Sequence, residues 1–285
     1  MVHLPVPELV LFLSAGVLCA GAALIGYMQL RPTGQSYPRL LMPLICLATC
    51  LEVIILVMRA VEAEAVPLTG LFESMLVLII VFNLLYILLS IAVTQIWFGS
   101  VMVWMIFGLA LLTGMVAEPA TSSAKVEVTP WVVFHSIAMV ISTAFITFSM
   151  VAGSLFLVTS NRLKHKKVMK VLGRVPSIQW LQASLLLGVK GCFVTLSVGL
   201  ASGIGLIIWQ MKAAAPDMDL QDWFMDPKIV VVACAWLLMA FVWVLHALGV
   251  VKEKALAYSS LLAFFLMIFS LVGVPLFCGT QHSFT

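Results

Sequence analysis

Three histidines and one short aromatic loop are the residues of this chain best equipped for chemistry. His135 stands at the head of a long apolar segment. His282 follows the last apolar segment, and His246 lies inside the one before it. Between His135 and His282 runs the loop Asp217-Met218-Asp219-Leu220-Gln221-Asp222-Trp223-Phe224-Met225-Asp226-Pro227-Lys228. Imidazole nitrogen is a metal ligand. Two imidazoles at one membrane face, beside a wall made by Trp223 and Phe224, could hold a flat, apolar, metal-centred ligand; haem, with axial histidines and apolar packing, is such a ligand. The same residues have a plainer use, because His and Trp are ordinary anchors at the headgroup level. His246 falls about 25 Å into its segment at 1.5 Å per residue. An ionisable group at that depth is costly and points to function, unless it lies close enough to the far surface to reach headgroups. His165 sits in a basic loop and His3 near a terminus, and neither has such a context.

The elements that must position these residues follow from composition. Of 285 residues, 63% are hydrophobic and 9% charged, where soluble chains carry roughly 25% charge. That excludes a soluble enzyme, a disordered chain and a nucleic-acid binder. It predicts an all-α, polytopic membrane protein, a single membrane domain over residues 1–285. Eight apolar runs suit transmembrane helices: about 9–30, 40–58, 71–90, 97–116, 131–158, 190–211, 229–249 and 256–277. Arg31, Arg39, Arg162, Lys164, Lys166, Lys167, Lys170, Arg174, Lys252 and Lys254 all fall in loops that eight spans place on one side. That side is cytoplasmic by the positive-inside rule. Glu62, Glu64, Glu118, Glu127, Asp217, Asp219, Asp222 and Asp226 lie opposite. Both termini are then outside, and the expected place is the inner (cytoplasmic) membrane, with multiple passes. The first run has no basic residues before it and Arg31 after it, the charge order of a retained N-out anchor. Residues 177–189 are only half apolar and read as an amphipathic stretch lying along the inner surface.

The remaining polar residues inside spans have structural readings. Glu52 and Arg59 suggest a helix–helix hydrogen bond or a Glu–Arg pair, against a proton or substrate role. Lys190 snorkels to the inner surface. Gly199 and Gly203 form a GxxxG packing face, and Ser142, Ser149 and Gly153 offer a small-residue face in the span that carries His135. None of the six cysteines forms a CxxC pair, and Cys46 and Cys50, one helical turn apart, read as small core residues. No catalytic triad, HExxH, Walker loop or dinucleotide fingerprint is present.

Four segments resemble the cytochrome c assembly proteins, the CcsA/ResC/CcmC type with a WWD loop. Pro67-Leu68-Thr69-Gly70-Leu71-Phe72-Glu73-Ser74, after Arg59, is similar to the family's P-L-S-N-L-Y-E-S. His135 with Met139 and Ser142 resembles the histidine-bearing helix that precedes the loop. Trp223-Phe224-Met225-Asp226-Pro227-Lys228 resembles the end of W-x-W-D-P-K-E, and the following span ends in His246 as the family's does. Gly279-Thr280-Gln281-His282-Ser283-Phe284 resembles the closing G-L-H-S-Y. The likeness covers about residues 59–285.

The resemblance implies haem b as the ligand, with His135 and His282 as axial ligands to its iron. It implies a route from the cytoplasmic side past His246, and contacts from Trp223, Phe224, Asp226 and Lys228. It also implies apocytochrome c as the recipient and a second membrane subunit with an outer domain, of the CcsB/ResB type. The chain would be at most one component of a cytochrome c synthetase. The loop departs from the family pattern: Met225 stands where a tryptophan is expected, Ile229 replaces a glutamate, and Asp217–Asp222 lacks the upstream glycine–tryptophan part. These departures motivate a second reading, a HemX-like membrane regulator of glutamyl-tRNA reductase. A third is a small-solute transporter built around Glu52 and His246.

Overall fold

The computed structural model describes residues 4–30, 38–63, 71–92, 96–116, 130–164, 177–213 and 224–278. Each expected apolar run forms a helix: α1 (Val6–Leu30), α2 (Pro38–Ala63), α3 (Leu71–Ala92), α4 (Ile96–Val116), α5 (Pro130–Lys164), α6 (Ile178–Ala213), α7 (Pro227–Ala247) and α8 (Glu253–Ile268). A π-helical turn, Phe269–Gly273, continues α8 into the short α9 (Val274–Phe277). No strand occurs among the described residues. Seven of these helices are long and apolar enough to cross a membrane, and α4 adds a shorter apolar run, Gly99–Met115. The protein is therefore an all-α, multi-pass membrane protein.

Several helices are apolar on both faces. α1 buries Phe12, Ala15, Cys19, Ala22 and Ala23, yet presents Leu13, Val17 and Leu24 outward. An outward apolar face is one that lipid solvates, and a helix satisfies its own backbone there.

The chain divides into two compact units, residues 1–126 with 165–176 and residue 285, and residues 127–164 with 177–284. In the first, α1 packs against α2 and α4, and α3 against α2 and α4. One end of this unit is closed by a buried ionic cluster. Arg59 of α2 donates through Nε to Glu73 Oε1 of α3 and through Nη1 to Glu8 Oε2 of α1, the latter at 3.0 Å. The guanidinium also lies 5.9 Å from the Phe72 ring centroid, and Phe12 meets Phe72 edge-on at 5.5 Å. The segment around Phe72-Glu73 therefore serves to receive Arg59. Glu52 does not pair with Arg59; it accepts from Asn83 Nδ2 of α3 at 2.7 Å.

In the second unit, α5 and α6 pack antiparallel along almost their whole length. A Cβ added at Gly205 would meet Trp131, at Gly203 His135, at Gly199 Met139, at Gly191 Phe145 and at Gly188 Ser149. As the position rises in α6 it falls in α5, which is the antiparallel register. Ser149 Oγ also donates across the seam to Leu185 O at 3.1 Å. Residues 177–189 are thus not a separate surface helix. Ser177 precedes α6 and residues 178–189 are its first turns, with Leu181, Leu185 and Val189 fully buried. Their half-polar pattern reflects a partner helix on one side rather than headgroups.

α7 returns antiparallel to α6. Trp236 Nε1 donates to Ser197 Oγ at 2.7 Å, while Phe193 stacks on Trp236 at 5.6 Å and tilts against Trp243 at 5.2 Å. A tight turn at Gly249, with φ of 71°, reverses the chain into α8. α8 lies against α5, where Gly153 faces Ala257 and Ser260. From that contact α8 and α9 run toward the His135 end of α5.

Candidate functional site

His135 lies in the second turn of α5 and is half-buried against α6. Its ring sits over Gly203, where a Cβ would come within 3.1 Å of Cε1. Nδ1 is 2.8 Å from Gly199 O. A carbonyl can only accept, so Nδ1 carries the proton and Nε2 keeps the lone pair. An imidazole held by one nitrogen on a backbone carbonyl, with the other left basic, is the usual arrangement of a metal-ligating histidine. The GxxxG face of α6 therefore does more than pack: Gly203 makes room for the ring, and Gly199 both seats Met139 and supplies the anchoring oxygen.

The start of α7 supplies the next residues. Asp226 is buried and is the N-cap of α7; its carboxylate accepts from Lys228 N at 2.9 Å, with Pro227 at the first helical position. An acidic cap followed by proline is a strong helix start, which accounts for this Asp-Pro-Lys sequence in the fold. The Lys228 side chain is half-buried and within electrostatic range of both Asp226 and His135. Phe224 and Met225, just before the cap, are 52% and 69% exposed. They present apolar side chains at the head of α7.

His246 is not part of this group. It occupies the last turn of α7, half-buried, in line with the inward stripe of Val232, Ala235, Met239 and Val242. Eighteen residues of helix separate it from Lys228, about 27 Å. Its backbone carbonyl accepts from Gly249 N at 3.0 Å in the reversing turn. Of the sequence-derived site, the structure thus sets Lys228 within electrostatic range of His135 and of Asp226, keeps Phe224 at the same helix start, and sets His246 at the far end of α7. Trp223 and His282 lie outside the described residues. The described chain ends at Cys278, four residues before His282. Among the described residues no three His, Cys, Asp or Glu side chains converge as a metal site, and all six cysteines are free thiols.

A family profile described as cytochrome C assembly protein matches residues 68–280, well over half of the chain. The chain belongs to that family. Family membership gives this cytochrome c assembly protein a role in c-type cytochrome biogenesis, a process that involves haem and apocytochrome c. The matched stretch runs from α3 through α9 and includes His135, Asp226, Lys228 and His246; it ends two residues before His282. No curated protein and no solved structure matches the chain.

Sequence reasoning missed the Gly199 carbonyl, Asn83, Glu8 and the Phe193–Trp236–Trp243 cluster. A backbone oxygen has no sequence signal of its own, but Gly199 and Gly203 set opposite a histidine-bearing helix were a usable one. Asn83 was visible as a lone amide inside an apolar run.

Proposed function

We propose that this assembly protein holds haem b at the outer face of the inner membrane and presents it for attachment to apocytochrome c. The observation that carries the reading is the hydrogen bond from His135 Nδ1 to Gly199 O, which fixes the ring and leaves Nε2 as a ligating atom. The donor set fits haem: an anchored imidazole, an apolar surface at Phe224 and Met225, and a Lys228 cation within electrostatic range of that imidazole, which would meet a propionate. Trp223 would add a ring to that surface, and His282 would be the second imidazole to hold the iron. Asp226 acts by capping α7 and so fixing where Lys228 and Phe224 stand. His246, at the opposite end of α7, would meet haem on the cytoplasmic side. When bound, haem supplies the iron that the imidazoles grip and the groups that the apocytochrome thiols attack. A second membrane subunit with an outer domain completes the synthetase in this reading, and both termini face outward. The test is the visible spectrum of the reduced, detergent-purified protein. Bound haem that is lost in His135→Ala and in His282→Ala is expected; no haem, or spectra unchanged in both variants, overturns the assignment.

The HemX-like reading is favoured by one observation, the replacement of the loop tryptophan and glutamate by Met225 and Ile229. Gene deletion separates the two. Loss of covalent c-type cytochromes supports assembly, whereas intact cytochromes with raised glutamyl-tRNA reductase support regulation.

A further inference from the structure

Unit 1 holds a second polar site that the haem reading does not use. Glu52 of α2 and Asn83 of α3 are 2% and 0% exposed, and Asn83 Nδ2 donates to Glu52 Oε2 at 2.7 Å. Glu52 is 12 residues from one end of the apolar stretch Leu40–Val61 and 9 from the other, about 18 Å and 14 Å along the helix. The pair therefore sits near the middle of the span. Among the described residues Glu52 has no ion-pair partner. Arg59, two turns along α2, is taken up by Glu73 and Glu8. The titratable groups facing this region are Cys19 of α1, which lies within electrostatic range of Glu52, and Cys46 of α2 with Tyr86 of α3, which lie within range of each other; none is a cation. α4, which packs on α1 and α3, contributes no titratable residue. Thr49, one turn before Glu52, spends its hydroxyl on Ile45 O at 2.7 Å.

One atom decides what the pair binds. Asn83 Oδ1 is fully buried and has no hydrogen-bond partner among the described residues. Its amide nitrogen already donates to the Glu52 carboxyl, which makes that carboxyl the group bonded to this amide. A carboxylate has nothing to donate to that oxygen. A carboxylic acid has: its O–H can donate to Asn83 Oδ1 while its other oxygen accepts from Nδ2. That closes a cyclic acid–amide pair, satisfies the orphaned acceptor and removes an uncompensated charge from the membrane interior. We propose that Glu52 and Asn83 form an intramembrane proton-binding site, in which the Glu52 carboxyl holds a proton at neutral pH and shares it with the Asn83 carbonyl oxygen.

Infrared difference spectroscopy on the full chain in detergent tests this at pH 7. The wild-type minus Glu52→Gln spectrum is expected to show the carbonyl stretch of a protonated carboxylic acid. Asn83→Leu is expected to move that band to higher frequency, because the acid loses the amide N–H bonded to its carbonyl. A difference spectrum made of the two carboxylate bands, with no acid band, overturns the proposal. If Glu52→Gln does not accumulate, the wild-type minus Asn83→Leu spectrum decides alone: a displaced acid band supports the site, and displaced carboxylate bands overturn it. Haem retention is read in parallel and is expected to be unchanged, since neither residue belongs to the site in unit 2.

Discussion

His135 spends Nδ1 on an anchoring hydrogen bond, which in the proposed function leaves Nε2 for iron, and that arrangement depends on a neighbour with no side chain. Gly203 leaves the space in which the ring lies, and Gly199 O receives Nδ1–H. A methyl group at position 203 would sit 3.1 Å from the ring, and the ring cannot yield without stretching its hydrogen bond. Gly203→Ala is therefore expected to lower the haem retained on purification, while Gly16→Ala, where nothing lies within 4 Å, leaves it unchanged. The ionic cluster of unit 1 makes a second prediction at this scale. Arg59→Leu removes the cation that pairs with the buried Glu8 and Glu73 and is expected to cost about 3–5 kcal/mol, as breaking a buried pair does. Thermal unfolding in detergent would read it, with Arg59→Lys in between. His135 was legible in the sequence because imidazoles are rare in apolar runs. Its anchor was not, because backbone oxygens are alike at every position. Glu52 and Arg59 read as a helix–helix hydrogen bond or a Glu–Arg pair, and the structure has one of each kind: Glu52 accepts from Asn83, and Arg59 pairs with Glu8 and Glu73. Which residues would be the partners was not legible, because they come from other helices.

Among the elements, α6 shows best how small residues set position. Its glycines let α5 approach closely enough for Ser149 to donate to Leu185 O. A Cβ at Gly188 would come within 2.7 Å of Ser149 Cβ, so Gly188→Val is expected to force the helices apart and sharply reduce accumulation of folded protein in the membrane. Fluorescence-detected size exclusion would show this as lost monodisperse protein. The start of α7 offers a separable test. Asp226→Ala removes the cap and is expected to cost about 1 kcal/mol, whereas Asp226→Asn retains the cap and should leave both stability and haem retention near wild type. Haem loss in Asp226→Asn at unchanged stability would instead assign the carboxylate to the ligand. Most helix ends were legible to within about six residues because apolar runs mark them. The stretch 177–189 was misread because half-polar composition fits a headgroup surface and a protein partner equally well, and α5 supplied the partner.

For the molecule as a whole, scarce charge made the fold class readable: long apolar helices with few polar interruptions leave little alternative to a multi-pass membrane bundle. The division into two units was not readable, since both halves share one composition. That division now separates two kinds of site. Unit 2 carries His135, Lys228 and His246, within the stretch that the family profile matches, and unit 1 carries the Arg59 cluster and the Glu52–Asn83 pair. The central claim is that His135 Nε2 ligates haem iron. Replacing His135 by glycine leaves a space that free imidazole can enter, so the most direct measurement is the reduced visible spectrum of His135→Gly purified with and without imidazole. The account predicts loss of the haem spectrum without imidazole and its return with it. A wild-type spectrum in the variant without imidazole would contradict the account, as would a haem loss that imidazole fails to reverse in a protein that remains folded.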